Sequence, residues 1–270
     1  MSTKDRHEVA DLVVIGASVG GMVAAIDAAD QGARVVIVER EKELGGSAAG
    51  SPEHVAIGGS WVQHAAGVED DPAGLVYDLE AETLHHLHRA RTVAIAEAGP
   101  SLARWLTERL GLSIELAPGS SYRGHSKPRL HTLGGPGAAA LLEALTTAVS
   151  KHHRIRVLPG IAASRLETAD GAVVGVELAS KRRSDPTTVE GPVLLACGGH
   201  AADAELVAAE APDLADLPAR GATTATGDGL RMARAVGAHG EALAEHVVTG
   251  LMAFPSERPL DPVLISRGAI

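Results

Sequence analysis

At 270 residues and 27.6 kDa the chain has room for one large domain or two modest ones, and 45% hydrophobic residues supply a core. A net charge of −10, without any lysine or arginine run long enough to track phosphates, excludes nucleic acid and anionic membrane surfaces and points to small-molecule partners. Cys197 is the single cysteine, so an internal disulfide is excluded; the polar start MSTKDRHE lacks a secretory signal core and no apolar stretch approaches bilayer-spanning length, so a cytoplasmic protein is expected.

The first pattern lies between Asp11 and Glu39. Leu12, Val13, Val14 and Ile15 form a continuous apolar run, which suits a parallel strand buried on both faces. Gly16 ends it. Residues 19–29 are mostly alanine and small aliphatics, a slim helix able to lie close on a sheet, and Gly32 stands where a helix C-cap is expected. Residues 35–38 make a second buried strand. Laid on G-x-G-x-x-G, the turn Gly16-Ala17-Ser18-Val19-Gly20-Gly21 keeps the first and third glycines and puts Ser18 at the second. Glu39 stands 23 positions after Gly16, near the spacing at which an acid meets a ribose hydroxyl. A phosphate-binding βαβ unit is predicted, and the fingerprint alone does not separate FAD from NAD.

Beyond Arg40 come Gly45-Gly46-Ser47 and Gly58-Gly59-Ser60-Trp61, glycine pairs that suit backbone passing close to something flat or crowded. Asp71-Pro72 opens a predicted helical region to about residue 98, with Leu75, Leu79 and Leu87 on its apolar face. Gly99-Pro100 is expected to break it, and Ser101 to cap a second helix ending at Gly111. Residues 118–128 read as loop, and 138–150 as a helix behind a second glycine-rich entry. Residues 155–158, 161–166 and 173–178 read as strands of a small antiparallel meander, with Ala169-Asp170-Gly171 as a hairpin turn. Residues 193–196 return to the parallel sheet and end at Cys197-Gly198-Gly199. Thr226-Gly227-Asp228-Gly229 opens a helix, where Asp228 could cap the helix or hold a ligand hydroxyl.

In this order the motifs resemble the flavoprotein family of fumarate reductases, succinate dehydrogenase flavoprotein subunits and 3-ketosteroid dehydrogenases. The resemblance rests on the fingerprint at Gly16–Gly21, the strand end Ala196-Cys197-Gly198-Gly199 and the segment Thr226–Gly229, and it covers almost the whole chain. It implies an α/β Rossmann-like FAD-binding fold: a parallel sheet flanked by helices, an antiparallel meander inserted, and the start of a capping domain at the C-terminus. Residues 1–245 would form the FAD-binding domain and 246–270 the beginning of an incomplete capping or substrate domain. It implies noncovalent FAD, with the pyrophosphate against Gly16, Ser18, Val19 and Gly21 and the adenosine ribose on Glu39 with Arg40 beside it. Gly46 and Ser47 would flank the pyrophosphate and ribityl chain, the Ala163 backbone would face the adenine, Asp228 would bind the ribityl or phosphate end, and Gly59 and Ser60 would lie near the isoalloxazine.

The departures from the family pattern are as informative. Relatives run on through a cap and a C-terminal glycine-rich segment, so the chain is expected to be truncated and to turn over little substrate alone. The arginine that donates a proton in fumarate reductases comes downstream of Ser266-Arg267-Gly268, so no catalytic residue is assigned. Phe254 stands for the histidine of their H-P-T motif and Leu264 for a relay glutamate, which argues against fumarate as substrate. His85, His86 and His88 share a helical stretch, but nothing converges on them and no metal is expected. His54, in a loop where some relatives attach FAD covalently, lies closer to Gly58 than that family spacing. His131 and Tyr122 could face substrate or simply be exposed. The expected function is an FAD-dependent oxidoreductase moving a hydride between a substrate C–C bond and flavin N5, with a small-molecule substrate and an unknown electron donor or acceptor. The alternatives are a non-catalytic FAD- or nucleotide-binding module needing a partner chain and, more weakly, an NAD-dependent dehydrogenase.

Overall fold

The computed structural model describes residues 7–50, 54–83, 87–117, 124–134, 138–179, 186–216, 222–239, 252–253 and 258–259. It divides into two units, Met1–Gly50 with Leu145–His246, and Ser51–Ala144 with Val247–Ile270. The expected start of a cap at residues 246–270 lies outside the described residues except for 252–253 and 258–259.

The first unit opens with strand β1 (His7–Val9), followed by β2 (Leu12–Ile15), helix α1 (Val19–Asp30) and β3 (Val35–Glu39). Val13, Val14, Ile15 and the four residues from Val35 to Val38 are all buried, as an apolar run without polar alternation requires. β2 and β3 pair in parallel from Leu12↔Val35 to Ile15↔Val38. At their leading ends Arg34 donates to Asp11 at 2.8 to 3.0 Å and holds its carboxyl down to about 2. Met22, Ala25, Ile26 and Ala29 form the buried stripe of α1, and their small size lets the helix lie close on the sheet.

The second unit holds β4 (His54–Ala56), α2 (Trp61–Ala65), α3 (Pro72–Glu82), α4 (Arg89–Leu110), β5 (Ile114–Leu116) and β6 (Leu130–Leu133). β4, β6 and β5 form a small antiparallel sheet whose strands are too short to stand out in sequence. α3 and α4 pack through Leu75, Val76 and Ala96, with Leu79 and Val93 alongside. The helical stretch expected over 72–98 is two elements, and the break expected at Gly99-Pro100 does not occur. α4 runs through Pro100 to the left-handed cap Gly111, and Ser101, instead of capping, donates its hydroxyl to Ala98 O at 2.8 Å. Packing decides this: Gly99, Ala96, Ala103 and Leu106 are buried, and an added Cβ at Gly99 would stand 3.1 Å from Ile57 Cγ2, so tertiary contact outweighs one lost helical hydrogen bond.

Helix α5 (Ala138–Lys151) leads back to the first unit, burying Leu141, Leu145 and Val149. Then come β7 (Ile155–Pro159), β8 (Ala162–Ala169), β9 (Ala172–Ala179), β10 (Thr188–Glu190), β11 (Val193–Leu195), α6 (Ala204–Glu210) and α7 (Asp228–Ala235). A further pair, β12 (Met252–Ala253) and β13 (Arg258–Pro259), belongs to the second unit. The parallel sheet has the order β11-β2-β3-β7. β7 therefore belongs to it and not to the expected meander: Val35 to Glu39 pair with Ile155 to Pro159. The second sheet has the order β1-β10-β9-β8, antiparallel except for the parallel pairing of β1 with β10, two strands too short and polar to be read from sequence. β8 and β9 meet at Asp170-Gly171, both at positive φ, the twist a two-residue hairpin needs. Val13, Ile15, Val36 and Val38 from the parallel sheet pack with Leu166, Val176, Leu178 and Val189 from the antiparallel one, and Met232 of α7 closes the same core.

Candidate cofactor site

A groove in the first unit lies across the C-terminal ends of three parallel strands. Ile15-Gly16 ends β2, Val38-Glu39 ends β3 and Ala196-Cys197 follows β11. The chain passes from β2 to β3 and β7 on one side and returns to add β11 on the other side of β2, and such a reversal of strand order is where doubly wound sheets open a ligand crevice. Gly16 has φ +101°, and a Cβ there would stand 2.5 Å from Ala196 O. At Gly21 a Cβ would stand 2.2 Å from Gly16 O, so the helix seats directly on the turn. Ser18 has extended backbone (φ −69°, ψ 170°) and its Oγ accepts from Gly21 N at 3.2 Å, capping α1. Serine at the second fingerprint position therefore strains nothing, and its O–H remains free to donate. Val19 and Gly20 follow in the first turn, where backbone N–H groups have no helical partner.

The two carboxylates of the groove are held differently. Glu39 accepts from Ala17 N at 2.7 Å through Oε2 and from Glu41 N at 2.8 Å through Oε1. Asp228 is the first residue of α7, whose N-cap is Gly227, so the capping alternative for its side chain is corrected. Its Oδ2 instead accepts from Arg40 Nη1 at 2.6 Å and Thr226 Oγ1 at 3.1 Å. Arg40 also donates to Thr226 Oγ1 at 3.0 Å and to Thr224 O at 2.6 Å. Burial pushes the Cys197 thiol up, and its Sγ lies 2.5 Å from where a Cβ on Gly229 would be.

In the second unit Ser60 is 2% exposed and forms a capping box with Gln63 at the start of α2. Its Oγ is 2.7 Å from His131 Nε2, and His131 Nδ1 is 2.7 Å from Arg129 O. A carbonyl only accepts, so Nδ1 carries the proton and Nε2 accepts from Ser60. Burial pushes the imidazole pKa down, so the ring is neutral. His131 is thus a fully buried strand residue and not an exposed loop one. Arg129, also fully buried, donates to Asp70 through Nε at 2.6 Å and Nη2 at 2.7 Å, and to Asp78 through Nη1. Burial would raise both carboxyls, but the hydrogen bonds from Arg129 with Gln63 at Asp70 and Ser126 at Asp78 hold them below the usual range.

A family profile described as "FAD binding domain" matches residues 11–269. The chain belongs to the FAD binding domain family. Fumarate reductase of Schizosaccharomyces pombe is 27% identical over 262 residues, 88% of this chain and 48% of that protein. The open conformation of a flavocytochrome c3 fumarate reductase superposes with a TM-score of 0.79 at 26% identity, over 86% of this chain and 41% of that one. The fold of 3-ketosteroid-Δ4-(5α)-dehydrogenase from Rhodococcus jostii RHA1 matches with a TM-score of 0.75 at 24% identity, over 86% of this chain and 55% of that one. The chain spans about half the length of the curated relative it matches first.

For a FAD binding domain, the donor set of the groove fits its cofactor. The glycine turn admits a phosphate to the α1 N-terminus, Glu39 keeps lone pairs for ribose hydroxyls, and Gly198 and Gly199 have open space where a Cβ would stand. Of the residues expected from sequence, Gly16, Ser18, Glu39, Arg40, Gly46, Ser47, Ala163 and Asp228 line the groove together. Val19 and Gly21 form the first turn of α1 behind it, and Gly59 and Ser60 belong to the second unit. Thr224 and Cys197 also line the groove without having been singled out as ligands. The Gly-Gly strand end pointed to Cys197, whereas nothing local marks Thr224. Among the described residues no three His, Cys, Asp or Glu side chains gather as a metal site; His88 caps α4, accepting from Arg91 N at 3.3 Å, and His85, His86 and Tyr122 lie outside them. No described helix is long and apolar enough to cross a membrane.

Proposed function

We propose that the protein holds FAD noncovalently in this groove and acts as a cytoplasmic oxidoreductase of the fumarate reductase and ketosteroid dehydrogenase type. FAD, when bound, supplies hydride transfer at N5 to or from a C–C bond of a small-molecule substrate, with an electron donor or acceptor still to be identified. Gly16, Val19 and Gly21 offer backbone to the pyrophosphate, and Ser18 adds its hydroxyl. Glu39 takes the adenosine ribose, Gly46 and Ser47 flank the diphosphate and ribityl chain, the Ala163 backbone faces the adenine, and Asp228 accepts from the ribityl or phosphate end. Residues 1–245 serve as the FAD-binding domain and residues 246–270 lead towards the substrate-side cap. Fumarate is disfavoured as substrate because Phe254 and Leu264 replace the polar residues expected there.

The observation that carries this reading is the crevice at the ends of β11, β2 and β3, where the Gly16 turn, the Ser18-capped helix and Glu39 converge. The test is reconstitution: the purified chain is mixed with FAD or NAD, and binding is followed by flavin fluorescence and by calorimetry. Saturable uptake of FAD in preference to NAD is expected. A colourless chain that takes up no added FAD, or one that prefers NAD, overturns the proposal.

A further inference from the structure

Arg40 follows the proposed ribose acid directly, which would make it a second ribose contact by position alone. Its geometry says otherwise. The side chain crosses the groove and ties the end of β3 to a wall 184 to 188 residues further along the chain. A guanidinium has five N–H donors in a rigid fork. Here Nη1 serves both Asp228 Oδ2 and Thr226 Oγ1, Nη2 serves Thr224 O, and Nε lies 3.4 Å from Glu41 Oε1. Little of the fork is left for a ligand. Among the described residues Asp228 keeps one oxygen for a ligand: Oδ2 is held by Arg40 and Thr226, while the nearest group to Oδ1 is Arg231 Nη1 at 3.8 Å.

The charges around the groove give the crossing a second role. Glu39, Glu41, Glu43 and Asp228 line it, and among the described residues Arg40 is its single basic lining residue. A dinucleotide brings its own negative diphosphate into that surround. Without Arg40 the Asp228 carboxylate would lose its orientation and face the ligand with the more distant Arg231 guanidinium as its remaining cation.

We infer that Arg40 is a positioning residue, a strap that fixes the Thr224–Asp228 wall and turns Asp228 Oδ1 towards the cofactor, rather than a ribose contact. This rests on the FAD reading above and names the device that sets one wall of that site. Such a strap acts by preorganisation: a wall tied down in the free protein does not have to be ordered on binding.

The experiment uses the whole chain as wild type, Arg40→Met, Arg40→Lys, Asp228→Asn and the Arg40→Met/Asp228→Asn double variant. Hydrogen exchange without FAD reads the strap directly, and FAD affinity from flavin fluorescence at low and high NaCl reads its consequence. Arg40→Met is expected to raise exchange several-fold in the 222–230 segment alone and to weaken FAD by about tenfold. High salt should narrow that gap, because screening removes the electrostatic share. The double variant should bind FAD no worse than the weaker single one, since both changes act through one wall. Arg40→Lys, which keeps the charge and loses the fork, should recover only part of the affinity. Unchanged exchange in Arg40→Met, exchange raised across the whole fold, or losses that multiply in the double variant would each overturn the strap. A wild-type chain that takes up no FAD overturns the cofactor reading instead, and the strap is then decided by the exchange measurement.

Discussion

A methyl group on Gly16 would press on the Ala196 carbonyl at 2.5 Å in a backbone conformation, φ +101°, that L residues avoid. Gly16→Ala should therefore cost about 2–4 kcal/mol, from backbone strain plus overpacking, and should abolish FAD uptake; denaturant unfolding and flavin titration check it. Arg129 offers the opposite case, a charge whose value lies in its partners. Arg129→Met leaves Asp70 and Asp78 buried without their cation and should destabilise the chain by about 3–5 kcal/mol in the same unfolding measurement. His131 gives a pH signature. Its folded pKa lies below the ordinary 6.5, so the unfolded chain takes up the proton first. Its contribution is fully present above pH 6.5 and is lost as pH falls through the lower folded value. His125, pushed down by burial as well, acts in the same direction. Melting temperatures between about pH 5 and 8 should fall towards acid in the wild type and fall less steeply in His131→Gln. Of these residues only Gly16 was legible in sequence. The buried roles of Arg129 and His131 depend on carboxylates and a serine that lie 51 to 71 positions away.

Elements with a strong local pattern were legible and short ones were not. The apolar runs at 12–15 and 35–38, the small-residue helix between them and the Asp170-Gly171 hairpin follow directly from composition and turn chemistry. β7 was legible as a strand but not as a member of the parallel sheet, because strand pairing is decided by contacts more than a hundred residues apart. The strands β1, β4, β5 and β10 have three residues each, too few to show a period. Pro100 misled because a breaker sits inside a helix that packing holds together. Pro100→Ala should restore the missing N–H and raise stability by about 1–3 kcal/mol, seen as a higher melting temperature. The start of α7 offers a second test. Gly229→Ala drives a methyl into Cys197 Sγ and should disturb the groove, whereas Cys197→Ala/Gly229→Ala, which removes the obstructing sulfur, should regain most of the loss. The groove's own glycines and acid were readable because fingerprint spacing is local. The Arg40 crossing was not, because no local signal links positions 188 residues apart.

For the whole molecule, binding that favours the folded state should make thermal stability depend on FAD concentration, by about 2.7 kcal/mol when free FAD is a hundred times its dissociation constant. The family match and the shared fold agree on what the chain is built to hold, while the proposed reaction concerns a protein whose matched relative is about twice as long. The first unit is discontinuous in sequence: Met1–Gly50 is completed only by Leu145–His246. Val35 pairs with Ile155 and Val13 with Val193, so β2 and β3 leave the ribosome long before their neighbours exist. At about 5–20 residues per second that wait is on the order of ten seconds, during which α1 can cover one face of β2 and β3 while the other stays wet. Such high contact order slows folding and exposes apolar strand edges to other nascent chains. Soluble yield of this domain should therefore rise with chaperone supply, and slower translation, which lengthens the exposed interval, should lower it.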